Sequence, residues 1–300
     1  MNVLILIMGC NCNPGARNID AIFNTYIKSY NDNKNLFNHN YDFIVYKGDY
    51  SEAKLNNNVL QLTSPDNIES TYNKTIEAFN YIKNFEFDYI IRVNISTYIN
   101  LFVLDNYIET FKNDIIYCNS ICTYFDSIKY KNFIFPRGDA YIMHKSLFEK
   151  ILDVLTYYNP YDDDLTGIDN TDDSMFGLLC NKYFEKNLQN HIQILNYSFI
   201  PQMVNEITNY NIKLSALSIF SRLKTCPHNT HSGYSWDDNL YRLHDVKKFE
   251  LLNVSMFILK NRIGLIYNDN LDENSYFIKN DNNEFEFVSF NYIRKMLNER

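Results

Sequence analysis

The chain organises itself around Phe87-Asp-Tyr-Ile-Ile-Arg-Val-Asn-Ile-Ser-Thr-Tyr-Ile-Asn-Leu101. Asp88–Val93 is a short, nearly continuous apolar run, the pattern of a strand buried on both faces of a parallel sheet. The polar residues Arg92, Asn94, Ser96 and Asn100 fall at or beyond its C-terminal end. In open α/β sheets that edge is where ligands sit.

Working outward, the same alternation of apolar runs and amphipathic stretches continues on both sides. Upstream, Ile68, Tyr72, Ile76, Phe79 and Ile82 recur at helical spacing, with Ser64 or Asp66 available as cap. Strands are predicted at Val59–Leu62, Asp42–Tyr46 and Val3–Met8, and a helix at Ile19–Tyr30. Downstream, Leu101–Phe111 reads as a helix and Asp114–Cys118 as a strand. Phe133–Met143 reads as a strand bent at Pro136-Arg137-Gly138, and Lys145–Tyr157 and Asp172–Lys186 as helices. Such βα repetition predicts an α/β fold with a mainly parallel sheet flanked by helices. The end of the chain differs. Val254–Leu259, Ile263–Tyr267, Ser275–Ile278 and Glu284–Ser289 read as short strands, and Phe290–Asn298 as a closing helix. No Pro/Gly/Ser linker separates them, so the expected organisation is one main domain over residues 1–250 and a β-rich extension over 251–300 on the same core.

Composition narrows the function classes. The net charge of −8 and the lack of a concentrated Lys/Arg face argue against nucleic acid as the main partner. The apolar start, Met1–Met8, lacks a basic flank and is too short for a signal peptide; it reads as a buried first strand. No run reaches the ~18 apolar residues of a membrane span. The six Cys are scattered without zinc-ribbon spacing, so reduced thiols and a cytoplasmic setting are expected. Abundant Asn, Ile, Tyr and Phe read as AT-rich codon usage, which makes the Asn runs near 31–40 and 56–58 loops.

Four segments occur in order: a helix with Thr71-Tyr-Asn-Lys74, the strand Asp88–Leu101, Gly138–Phe148, and Asp172-Asp173-Ser-Met-Phe-Gly177. Over roughly residues 60–180 this order resembles the β-1,3-galactosyltransferase and Fringe-type glycosyltransferases of GT-A fold. Thr71–Lys74 is similar to their Asn-Leu-Thr-x-Lys helix, and Asp88–Leu101 to their strand ending in Asp-x-Asp. Gly138–Phe148 resembles their Gly-Gly-containing strand, and Asp172–Gly177 their Glu-Asp-Val-x-x-Gly. The resemblance implies a Rossmann-like transferase. It would move a sugar from a nucleoside-diphosphate sugar, UDP-linked, to a glycan or protein hydroxyl.

On that resemblance Asp173 is the general base and Asp172 its neighbour or a helix cap, while Arg92, Asn94, Ser96 and Lys74 face the donor. This chain departs from the family where it matters for metal. Asn94-Ile95-Ser96 stands in place of Asp-x-Asp, which would hold Mn²⁺ or Mg²⁺ against the diphosphate. Two negative charges are lost, so either metal affinity falls or Asn94 and Ser96 bond ribose or phosphate directly. The stretch Phe220–Asp238 offers His231 to a metal and Lys224 to the leaving diphosphate. The bland readings stand beside these. Asp172 and Asp173 also suit a helix start, where acids offset the N-terminal dipole, and His228-x-x-His231 lacks a third ligand. A non-catalytic relative binding a nucleotide sugar or glycan is the main rival. An unrelated α/β nucleotide-binding hydrolase is the third reading, weakened because Gly-x-x-x-x-Gly-Lys-Ser/Thr and Gly-x-Gly-x-x-Gly are both missing.

Overall fold

The computed structural model describes residues 1–11, 19, 22–67, 69–95, 97–119, 121–124, 133–163, 171–195, 219–222, 265–267, 275–279 and 285–289. The chain divides into two compact units. The first comprises Met1–Ala16, Asn38–Ile95 and Glu109–Leu195; the second comprises Arg17–Phe37, Ser96–Ile108 and Asn196–Arg300.

The first unit is built on strands β1 (Asn2–Met8), β2 (Asn40–Lys47), β3 (Lys54–Asn56), β4 (Val59–Gln61) and β5 (Tyr89–Asn94). In the second unit β6 (Thr97–Ile99) follows directly. The first unit resumes with β7 (Ile116–Cys118), β8 (Ile121–Tyr124), β9 (Phe133–Pro136), β10 (Ala140–His144) and β11 (Ile192–Ile194). Eight of these strands form one sheet in the order β11-β7-β10-β5-β1-β2-β4-β3. β1 pairs in parallel with both β2 and β5, β2 with β4, and β7 with β11; β10 and β3 run against their neighbours. The fold is therefore α/β with a mixed, mainly parallel sheet. β8 and β9 make a separate antiparallel pair.

Register explains where the helices lie. Leu6 is opposite both Ile44 and Arg92, and Arg92 is opposite Tyr141, so these side chains share one face. That face carries Leu4, Leu6, Ile44, Tyr46, Ile90, Tyr141 and Met143, all buried. In chain order the helices are α1 (Lys28–Asp32), α2 (Thr71–Ile82), α3 (Leu101–Tyr107), α4 (Lys145–Asp153) and α5 (Asp172–Tyr183). α2, α4 and α5 cover the face with Phe79, Phe148 and Phe176. Phe79 meets Phe148 edge-on at 5.2 Å, and Phe176 stacks on Tyr141 at 4.7 Å. The opposite face is also buried: Val3, Ile5, Ile7, Ile91 and Val93 are at most 1% exposed. Strands covered on both faces read as unbroken apolar runs, which is why β1 and β5 were legible.

In the second unit β6 pairs with β12 (Phe220–Arg222), and β13 (Leu265–Tyr267), β14 (Ser275–Lys279) and β15 (Phe285–Ser289) form an antiparallel sheet. The expected strand at 254–259 and helix at 290–298 lie outside the described residues.

Three expectations are corrected. Phe133–Met143 is two strands in two sheets, separated by Arg137-Gly138-Asp139. Pro136 has no N–H to continue a ladder, and the Gly138 N–H is taken by a side chain from α5. Neither Ser64 nor Asp66 caps α2; the residue before it is Ser70, with no side-chain cap bond. The helix predicted at Leu101–Phe111 tightens to a 3-10 turn after Tyr107, and Asn100 is its cap, accepting from Val103 N–H at 3.3 Å. The short strands β3, β6, β8 and β11 went unread because three or four residues give too few periods.

Candidate functional site

The strand ends come first. Met8 closes β1 and Asn94 closes β5, directly opposite each other. The chain then turns away from β5, and Ile95 N–H bonds the Met8 carbonyl at 3.1 Å. The Arg137–Asp139 turn runs past the same edge, where Asn94 N–H donates to the Asp139 carbonyl at 3.0 Å. Three segments distant in sequence thus meet at the C-terminal edge of the parallel strands.

Arg92 lies one pleat inside that edge and is 0% exposed. Its guanidinium donates to the Gly138 carbonyl and to Asp172, and Nε reaches the Tyr46 hydroxyl at 3.4 Å. The guanidinium also lies 5.8 Å from the centre of the Tyr141 ring. Burial works against the charge, but the Asp172 carboxylate, with Tyr46 and Tyr141, raises its pKa overall above the ordinary arginine value. Burial in turn pushes the Tyr46 and Tyr141 hydroxyls up, so both stay neutral at physiological pH.

Helix α5 brings the carboxylates. Asp172 and Asp173 open its first turn, where acids are favoured by the exposed N–H groups. Asp172 is 7% exposed and pairs with Arg92. Asp173 is half-buried and accepts from Gly138 N–H at 3.1 Å, from Ser174 N–H at 3.1 Å and from the Thr171 hydroxyl. A single turn therefore links both acids: its carbonyl and N–H at Gly138 are bound to Arg92 and Asp173 respectively. Asp139, in the same turn, is 1% exposed and accepts from Asn119 Nδ2 at 2.8 Å.

Beside this lies a second polar constellation at the end of β1. Lys74, from α2, donates to the Gly9 carbonyl at 2.9 Å and to Asp66 at 2.5 Å. The two side chains are 3% and 2% exposed. Asp66 also accepts from Asn11 N–H at 2.5 Å, and Asn11 Nδ2 donates to the Gly48 carbonyl at 3.0 Å. One turn along α2, Glu77 accepts from the N–H and hydroxyl of both Thr63 and Ser64, at 2.6–2.8 Å.

Of the residues expected at the site, the fold gathers Arg92, Asn94, Asp172 and Asp173 around one turn, and sets Lys74 at the neighbouring strand end. Arg92 and Lys74 point into the protein rather than toward a ligand, and Asp172 is neither a cap nor a free acid but the partner of Arg92. Asn94 and Asp173 are the members of the group that keep partial exposure. Ser96, Lys224 and His231 lie outside the described residues. Among the described residues, no group of three or more His, Cys, Asp or Glu converges as a metal site. Asn11, Asn119 and Asp139 were missed, since each acts through partners 20 to 55 residues away, and Asp66 reads as a cap although it pairs with Lys74 eight residues on.

No family model matches the chain, and no curated protein matches it. Among solved structures, the glycosyltransferase GlyE of Streptococcus pneumoniae TIGR4 is similar at 9% identity and a TM-score of 0.37, over 90% of this chain. The chain spans 65% of the length of that structure. Among the described residues, no helix is long and apolar enough to cross a membrane.

Proposed function

We propose that this chain is a GT-A-like glycosyltransferase that takes a sugar from a nucleoside-diphosphate donor, UDP-linked, and passes it to a hydroxyl acceptor. One observation carries this reading: partly exposed Asn94 and Asp173 are tied to the two sides of a single turn, through Asp139 O and Gly138 N–H, at the C-terminal edge of the parallel strands, where open α/β sheets in general take ligands. On this reading Asn94 hydrogen-bonds the ribose or diphosphate. Asp173 takes the proton of the acceptor hydroxyl as its oxygen bonds the sugar carbon, and the bond to the diphosphate breaks. Gly138, Ser174 and Thr171 fix the orientation of that carboxylate.

Mn²⁺ or Mg²⁺ fits the described residues poorly. Asn94 offers one neutral oxygen, Asp172 is committed to Arg92, and Asp173 already holds three donors. Hard divalent ions favour carboxylate oxygens, so no step here runs through a metal.

Those three donors also support a second reading, a relative that binds a nucleotide sugar or glycan without transfer, because they occupy carboxylate oxygens that would otherwise meet the acceptor hydroxyl. Two measurements separate the readings. UDP at 100 times its dissociation constant stabilises a binding protein by ~2.7 kcal/mol, visible as a melting shift. Asp173→Asn keeps that shift and lowers sugar transfer by ~10²–10⁴-fold if the carboxylate is a base. No shift with any nucleotide or nucleotide sugar removes the donor reading. A shift without transfer or donor hydrolysis by wild type selects the binding-only relative.

A further inference from the structure

A groove of about 530 Å³ opens at the other edge of the same sheet. Its walls come from the residues before β7, the start of α4, the end of α5 and the residue before β11. The 12 residues of α5 hold it ~18 Å from the Asp172–Asp173 end, at ~1.5 Å per residue. Volume alone places it within the ordinary range for a small-ligand site.

The lining chemistry is specific. Phe184 and His191 stack at 4.1 Å with rings 16° apart, each covering one face of the other, and both rings line the groove. His191 Nδ1 lies 3.1 Å from the Asp114 carbonyl; since a carbonyl only accepts, Nδ1 donates, which fixes the orientation of the ring. Asp114, Lys150, Glu185 and Asn187 also line the groove and are exposed. None of their side chains is engaged by another described residue through an ion pair or hydrogen bond. Glu185 and Lys186 both hold positive φ, 49° and 69°, a conformation that non-glycine residues adopt only when the surroundings enforce it. Lys186 N–H, bonded to the Asn181 carbonyl at 2.8 Å, helps enforce it.

We infer that this groove binds a neutral oligosaccharide. Two carboxylates against one ammonium disfavour a phosphate or sulfate. Interspersed donors and acceptors match hydroxyl groups, each of which can give one hydrogen bond and accept another. The aromatic stack in the lining suits the apolar C–H groups of a pyranose. The site is separate from the Asn94–Asp173 edge and does not depend on the transferase reading.

The test is ligand-observed NMR of the full chain with lactose, cellobiose, maltose and chitobiose, and with sulfate as anionic competitor. At least one disaccharide is expected to bind, and sulfate not to displace it. Asn187→Ala, an exposed change, and Phe184→Leu, which keeps apolar volume without the ring, should each weaken binding by about tenfold. Binding by none of the four sugars, displacement by sulfate, or unchanged binding in folded Asn187→Ala overturns the assignment. The UDP melting shift is read on the same samples. Loss of sugar binding with that shift intact marks failure of the groove alone, and the reverse marks failure of the donor site alone.

Discussion

Arg92–Asp172 and Lys74–Asp66 are both buried ion pairs in the same unit, yet they are built differently. Arg92 is planar with several donors and reaches a carboxylate, a backbone carbonyl and a tyrosine hydroxyl at once. Lys74 is a point charge that reaches one carboxylate and one carbonyl. Asp172 pairs with Arg92, and Asp66 takes the Asn11 N–H besides Lys74. The arginine pair therefore locks a turn to a helix start, and the lysine pair closes a strand end onto a loop. Buried pairs add little net stability over apolar replacements, but removing one partner strands the other. The two should thus differ in what their loss leaves behind.

The largest effect is expected from Arg92→Met, which leaves Asp172 buried beside Tyr46 and Tyr141 and should cost roughly 3–5 kcal/mol in urea unfolding. Asp172→Asn should also destabilise, and so is no innocent control for Asp173. Lys74→Met should cost less, roughly 2–3 kcal/mol, because Asp66 keeps a donor. A loss as large as that of Arg92→Met would break the comparison.

The glycines beside each pair sharpen it in the opposite direction. A Cβ on Gly48 would sit 2.2 Å from the Ser64 carbonyl oxygen, so backbone must move. A Cβ on Gly138 would meet Asp173 Cβ at 3.2 Å and Arg92 and Asp172 at 3.3 Å, contacts that side chains can relieve by small shifts. Gly48→Ala should therefore cost roughly 3 kcal/mol and Gly138→Ala roughly 1 kcal/mol. Gly138→Ala should disturb Asp173, and with it transfer, more than stability. Equal melting temperatures for the two variants would contradict this.

The smallest effect concerns Glu77. Burial pushes its carboxyl up, but hydrogen bonds from Ser64 and Thr63 outweigh that and hold it below its ordinary value of 4.5. A folded-state value below the unfolded one means that its contribution is full above pH 4.5 and disappears as pH falls through the folded value. The melting difference between wild type and Glu77→Gln should be small, since solvent screens a partly exposed group, and should close on acidification. A gap that widens toward low pH would reverse the assignment.

Much of this was legible beforehand and some of it could not be. Apolar runs sufficient to mark β1, β2 and β5, and the 3–4 spacing of α2, determined the α/β class and the strand edge at Asn94, because burial on both faces leaves a local signature. The order of segments also brought Asn94, Asp172 and Asp173 into one group. What the sequence could not decide was the direction in which each polar side chain faces. Arg92 reads as a ligand residue because it ends a strand, but register puts it on the helix-covered face with Leu6 and Tyr141. Asp66 reads as a cap because it precedes a helix, but it meets Lys74 and Asn11 instead. Asp172 finds its cation 80 residues away. Helix and strand periods are properties of neighbours along the chain. Which charge meets which depends on sheet order and on the turn at Gly138, and these arise only when distant segments pack and exclude water from the groups between them.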